Sequence, residues 1–176
     1  MANQDIIFAG FGGQGILSMG KFLAYAGMDA NLNVSWLPSY GPEMRGGTAN
    51  CSVIISDEPV GSPIVTKATS VVVMNRPSLD KFEGSIKKGG LLILDSDFIN
   101  RDIERDDIEV IKIPAQTIAE ELGSKKIANM VLLGALVAKT GIVSMGTVLS
   151  SLENHGKKQF YEINKLALER GAEYVK

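Results

Sequence analysis

Cysteine and histidine are almost missing from this 176-residue chain: there is one of each, Cys51 and His155. A lone cysteine cannot close an internal disulfide, hold an iron–sulfur cluster or make a CxxC redox pair. A single histidine argues against a His-rich metal site and against a nucleophile–base network built on imidazole. Charge of one sign is missing too. The 18 Lys and Arg stand against 20 Asp and Glu, net −2, so there is no general basic footprint of a nucleic-acid binder. No window reaches the ~18 apolar residues of a membrane span. Met1 to Asp5 lacks the basic lead-in of a secretory signal. A cytoplasmic, reducing location is the simplest expectation. With 45% hydrophobic and 22% charged residues, the composition is that of a folded globular chain. Its length suits one domain over residues 1–176.

Glycine is the residue in excess. There are 19, where average usage gives about 12. They cluster at Gly10, Gly12, Gly13 and Gly15, and again at Gly41, Gly46 and Gly47. Around these clusters the apolar pattern sets out alternating elements. Asp5–Ala9 reads as a buried strand, about 14–31 as a helix, and Asn33–Leu37 as a second strand, together a right-handed βαβ unit. Residues 38–48 read as an irregular loop. Ala49–Ser56 reads as a strand, turning back into a short strand over Ser62–Val65 to make an antiparallel hairpin. Val71–Met74, Leu91–Asp95 and Ile108–Ile113 read as further strands, with a short helix over Leu79–Ile86 and a solvated mixed-sign stretch over Arg101–Glu109. Helices follow over Pro114–Leu122, Asn129–Thr140, Met145–Leu152 and Lys158–Arg170. The expected fold is α/β: a three-layer Rossmann-like domain with a mainly parallel sheet and one antiparallel hairpin.

Two constellations carry chemistry. Gly10-x-Gly12-x-x-Gly15, with Gln14 inside it, sits after a strand and before a helix. A tight glycine turn points backbone N–H groups outward, and the helix N-terminus adds partial positive charge, so a phosphate or pyrophosphate can approach. A nicotinamide site also needs Asp or Glu at the end of the second strand. Here that region reads Ser35-Trp36-Leu37-Pro38, so the motif leaves an anion site and simple close packing both open. The second constellation is the loop Ser39-Tyr40-Gly41-Pro42-Glu43-Met44-Arg45-Gly46-Gly47-Thr48. Loops at the carboxyl ends of strands line the ligand crevice of an open α/β sheet. Arg45 has small neighbours and can reach a carboxylate, a phosphate or a partner; Glu43 is its bland intrachain alternative. Asp95, after a buried strand, is a further crevice candidate. Cys51 reads as a buried hydrophobe and His155 as a surface or capping residue.

FGGQG after the first strand, SWLPSYGPEMRGGTANC after the second and NMVLLGAL on a late helix together resemble the gamma subunit of 2-oxoacid:ferredoxin oxidoreductases. The stretch Trp36–Cys51 is the most specific part, and its form resembles the 2-oxoglutarate branch, with a branched-chain enzyme as the near alternative. The resemblance implies a subunit of an enzyme that decarboxylates a 2-oxoacid oxidatively, forms the acyl-coenzyme A and reduces ferredoxin. It implies alpha and beta partners, and in some members a ferredoxin-like delta subunit. Thiamine diphosphate and iron–sulfur clusters are then expected on those partners, with no nucleic acid and no membrane involved. This chain would hold no cofactor tightly and supply no catalytic residue. It would help form a shared coenzyme A site through Gly10, Gly12, Gly13, Gln14, Gly15, Ser39, Tyr40, Glu43 and Arg45. The competing expectation is a free-standing nucleotide-binding Rossmann-like protein.

Overall fold

The computed structural model describes residues 3–39 and 48–176. In chain order these form β1 (Asn3–Phe11), α1 (Ile16–Asp29), β2 (Asn33–Ser39), β3 (Thr48–Ser56), β4 (Ala68–Val73), α2 (Arg76–Phe82), β5 (Ile86–Asp95), β6 (Glu109–Ile113), α3 (Ala115–Glu121), α4 (Ala128–Thr140), α5 (Met145–His155) and α6 (Tyr161–Tyr174). Short 3₁₀ turns precede β5, α4 and α6. One sheet of order β2-β3-β1-β4-β5-β6 runs through the molecule. β1, β4, β5 and β6 are parallel neighbours in that order. β3 is antiparallel to both β1 and β2.

The mainly parallel α/β sheet expected from the apolar runs is present, but its pairing differs from the sequence reading in three places. β2 does not lie beside β1, because β3 pairs along the whole of β1, from Asn3 opposite Ser56 to Phe11 opposite Thr48. β2 is the sheet's outer strand on that side. Pro38, opposite Cys51 in the ladder, suits such a position, since proline cannot donate to a further strand. The hairpin is therefore β2–β3. Ser62–Val65 forms no strand: both edges of β3 are already taken, and Pro63 removes a donor. Lastly, the helix expected over 79–86 ends at Phe82, and β5 begins at Ile86. The β4–β5 register slips between Ala68 and Ser70, where Ala68 faces Ile86 but Ser70 faces Leu91. The extra residues include Gly89 at φ 80°.

Alternation along β1 splits the core in two. Ile6 and Phe8 face a large apolar layer under α1, α3, α4, α5 and α6. Ile7 and Ala9 face a smaller one, with Val71, Val73, Leu79 and Ile99, covered by α2 and the segment after β5. That segment, expected to be merely solvated, acts as a clasp. Arg101 pairs with Asp80 at 3.0 Å and with Glu83 at 2.5 Å. Arg105 grips Asp107 through two nitrogens and donates to the carbonyls of Glu83 and Ile86. α4 is buried continuously from Ala128 to Val137, as its near-uniform apolarity requires. It packs backbone to backbone on α6: a Cβ added at Gly134 would strike the Leu168 carbonyl, and one at Gly171 the Val131 carbonyl. Among the described residues, no helix is long and apolar enough to cross a membrane.

Candidate functional site

The carboxyl ends of β1, β4 and β5 point the same way, and the glycine turn rises from that end of β1. The turn is held from within. The Phe11 N–H donates to Gln14 Oε1 at 2.6 Å, the Gln14 N–H to the Phe11 carbonyl at 3.2 Å, and Gln14 Nε2 to the Met74 carbonyl after β4 at 3.4 Å. Gln14 thus spends its amide on bracing the turn and tying it to the next strand. A Cβ at Gly10 would come within 2.6 Å of Gln14 Oε1 and 2.7 Å of Ile16 Cδ1, so a side chain there would displace the Gln14 amide from its place in the turn.

Gly15 caps α1 in the left-handed region at φ 76°. The Asn129 side chain, at the start of α4, lies against it and donates from Nδ2 to its carbonyl at 3.2 Å. An Asn in an otherwise apolar helix is thereby explained. Gly13 is the outward member of the turn. It has φ 91° and open space where a Cβ would stand. The N–H groups in the first turn of α1 have no acceptor within the helix, so this end of the molecule is electropositive.

Gly13 lines two concavities. One, of about 220 Å³, also touches Gln14, Met74, Phe98, Gln116 and Lys126. The other, of about 610 Å³, opens between the starts of α1 and α4 and the turn into α6. A third, of about 450 Å³, lies elsewhere and is lined by Asn3, Asp57 and Lys87 among others; the glycine turn takes no part in it.

Asp95 does not line the crevice itself. It is wholly buried, accepting from the Asp97 N–H at 3.1 Å and from Gln116 Nε2 at 2.9 Å. Burial pushes its carboxyl above the usual range, against the pull of those hydrogen bonds. Its contribution to the crevice is to hold Gln116. Ser39, exposed at the end of β2, reaches the same end of the sheet: both it and Ala9 stand opposite Asn50, one on each side of β3. Tyr40, Glu43 and Arg45 lie outside the described residues. Cys51 is fully buried and donates weakly to the Ile16 carbonyl at 3.6 Å. Burial pushes its thiol up to about 12, which makes it the packing residue the sequence suggests and leaves it without thiolate reactivity. His155 is exposed and stacks on Tyr25, ring centroids 3.9 Å apart.

Sequence reasoning passed over Lys125, Lys126, Lys157, Phe160, Gln116 and Asn129 as site residues. For the first two a signal existed. Lysines at the start of a helix oppose its dipole, so their presence there calls for another reason.

The chain belongs to the pyruvate ferredoxin/flavodoxin oxidoreductase family, whose model matches residues 5–174. Within that family it is of the gamma-subunit type. It is 40% identical over 177 residues to the ketoisovalerate oxidoreductase subunit VorA of Methanothermobacter marburgensis, covering 96% of this chain but 36% of that protein. It is 38% identical over 176 residues to the 2-oxoglutarate synthase subunit KorC of Methanocaldococcus jannaschii, covering 98% of this chain and 94% of that one. The chain therefore spans about a third of the VorA relative and nearly all of KorC. Among solved structures it is similar to the keto/oxoacid ferredoxin oxidoreductase gamma subunit of Geobacter sulfurreducens, with 30% identity, TM-score 0.86 and 97% of both chains covered. It is also similar to the 2-oxoglutarate:ferredoxin oxidoreductase of Magnetococcus marinus with 2-oxoglutarate, coenzyme A and succinyl-CoA bound. There the identity is 26% and the TM-score 0.90, covering 99% of this chain and 31% of that one.

Proposed function

We propose that this chain is the gamma subunit of a multi-subunit, cytoplasmic 2-oxoacid:ferredoxin oxidoreductase acting on 2-oxoglutarate. It works as one domain beside alpha and beta subunits that carry the thiamine diphosphate and the iron–sulfur clusters. Its part is to shape the coenzyme A site and the assembly, not to move electrons. The observation that carries this reading is the glycine turn. Its outward member, Gly13, faces open space beside two concavities at the carboxyl ends of the strands, where a pyrophosphate meets backbone N–H groups and no Cβ. A coenzyme A-bound relative of the same fold supports it. The relatives include both a 2-oxoglutarate synthase subunit and a ketoisovalerate subunit; the form of the Trp36–Cys51 stretch is what supports 2-oxoglutarate in this proposal.

The test is reconstitution. The purified chain alone should give no 2-oxoglutarate-dependent dye reduction. The alpha and beta subunits, with delta if present, should gain coenzyme A-dependent activity when it is added. Full activity of the partners without it would refute the proposal, and faster turnover of 2-oxoisovalerate would move the substrate.

The free-standing nucleotide-binding reading draws on the same glycines. Against it stands the insertion of β3 beside β1. A nicotinamide fold would put the second parallel strand there, with its ribose-binding carboxylate. Titration of the chain with NADH, NADPH and ATP separates the two, since micromolar binding of any of them in the absence of partners would restore the nucleotide reading.

A further inference from the structure

One part of the sheet is left bare. The smaller apolar core takes buried strand residues from β1, β4 and β5, and none from β2 or β3. Val34, Trp36, Cys51 and Val53 turn toward the larger core, so the residues between them face the other way. There β2 presents Ser35, Leu37 and Ser39, directly across from Ile54, Ser52 and Asn50 of β3. Among the described residues no helix covers this face. α1 packs against β2 and β3 from the opposite side, and α2 lies over β1 and β4. The segment 57–67 closes one end, lining a concavity with Ile54 and Ser56. Phe11 stands at the other end, opposite Thr48.

The composition of this face is not that of a surface left to water. Charged residues make up 22% of the chain, yet none of the six is charged. Leu37 is 41% exposed, and exposed Phe11 and Ile64 flank the patch. A free edge strand is ordinarily guarded by charge, lysine above all, and β2 carries no charged residue. Absence of charge beside exposed apolar side chains is the composition of an interface centre. The short hydroxyl side chains let another backbone come close.

We propose that the outer face of the β2–β3 hairpin is the surface on which this chain docks to its alpha subunit, against a neutral patch of apolar and hydrogen-bonding groups on that partner. The proposal rests on the subunit reading above and deepens it by naming the surface. Area decides against a second copy as the occupant. Two strands of about seven residues offer roughly 300 Å² at ordinary strand spacing. Two copies meeting face to face would bury about 600 Å² in all, short of the roughly 1,200 Å² of a stable complex. A larger partner can extend past the hairpin onto Phe11 and Ile64. The matching domain makes up 36% of the VorA relative, so there the fold does work beside a longer stretch of chain. A strongly acidic or basic partner would find no opposite charge on this face.

The test titrates the full chain into its alpha and beta subunits and follows coenzyme A-dependent oxoacid oxidation. Leu37→Lys and Ser52→Glu should each raise the half-saturating concentration about tenfold or more, since either charge would be buried without a partner. Activity at saturation should stay at the wild-type level, and so should the melting temperature of the free chain. Leu37→Met should behave as wild type. Met28→Lys, at an exposed position on α1, should have no effect. In the wild type, assembly should slow amide exchange over 33–39. Unchanged half-saturation in the Leu37→Lys/Ser52→Glu double variant would overturn the proposal while the subunit reading stands. So would equal weakening by Met28→Lys, or assembly without protection over 33–39. Tighter assembly with one sign of charge would overturn the neutral patch. If sedimentation shows the free chain to be a dimer that Leu37→Lys dissociates, with half-saturation unchanged, the occupant is a second copy and the proposal falls. A wild-type chain that never raises the activity of alpha and beta would bring down the subunit reading, and this surface with it.

Discussion

Gly15 and Asn129 are matched across 114 positions: one lacks a side chain where the other needs the space. Gly15→Ala forces a Cβ into a left-handed backbone and onto the Asn129 amide. We expect a loss of about 1–3 kcal/mol in urea unfolding, part of it recovered when Asn129→Ala is added. Additive losses would mean that the two residues are independent. Asp95 offers a test in pH. Its folded pKa is raised by burial, so the folded chain disfavours the charged form. The resulting penalty is absent below the ordinary carboxylate range of about 3.9. It grows as pH rises through the window between that value and the raised one, and is complete above it. Asp95→Asn removes the titration, and Gln116 can turn its amide to donate no longer but accept. The melting temperature of the wild type relative to Asp95→Asn should therefore fall as pH rises from about 4. Parallel curves would show that Asp95 does not titrate there.

At the scale of elements, the crossing of α4 and α6 depends on two glycines more than on its large side chains. Gly134→Ala or Gly171→Ala places a methyl group against the opposite backbone, and neither helix can yield without disturbing the sheet or α5. A cost of about 1–3 kcal/mol each is expected, visible in denaturant midpoints. A midpoint within experimental error of wild type would mean that the helices slide apart freely. The elements themselves were largely legible. Runs such as Val71–Val73 and Leu91–Leu94 can be little else than buried strands, and the glycine turn announces the start of α1. Neighbourhood was not legible. Apolar alternation states which face of a strand is buried, not which strand lies beside it, so nothing in residues 33–39 or 49–56 said that β3 would come between β1 and β2. At the site the glycine turn was readable as a motif, whereas Asp95, read as a crevice residue, is buried behind it. The bracing of Gln14, the reach of Asn129 and the converging lysines were not, because each joins residues brought together only by the fold.

At the scale of the whole molecule, the sheet's two faces are unequally covered. Five helices pack on one face; on the other, α2 shares the task with the segment held by Arg101 and Arg105. This thinner side is where local opening should begin. Arg105→Ala removes the donors to the Glu83 and Ile86 carbonyls. It should speed amide hydrogen exchange over 86–89 and 99–108 while leaving α4 protected; uniform acceleration across both faces would show one cooperative unit instead. The placement of β1 also bears on how the chain is made. β1 leaves the ribosome before either of its partners, which are residues 48–56 and 70–73. At about 5–20 residues per second, it waits for seconds with both edges open, and α1 can shield only its side chains. The nascent chain thus carries an unpaired apolar strand until those later residues have been made, and the interval between codons 11 and 73 is the period in which a chaperone, or a pause in translation, has most influence on the yield of folded subunit.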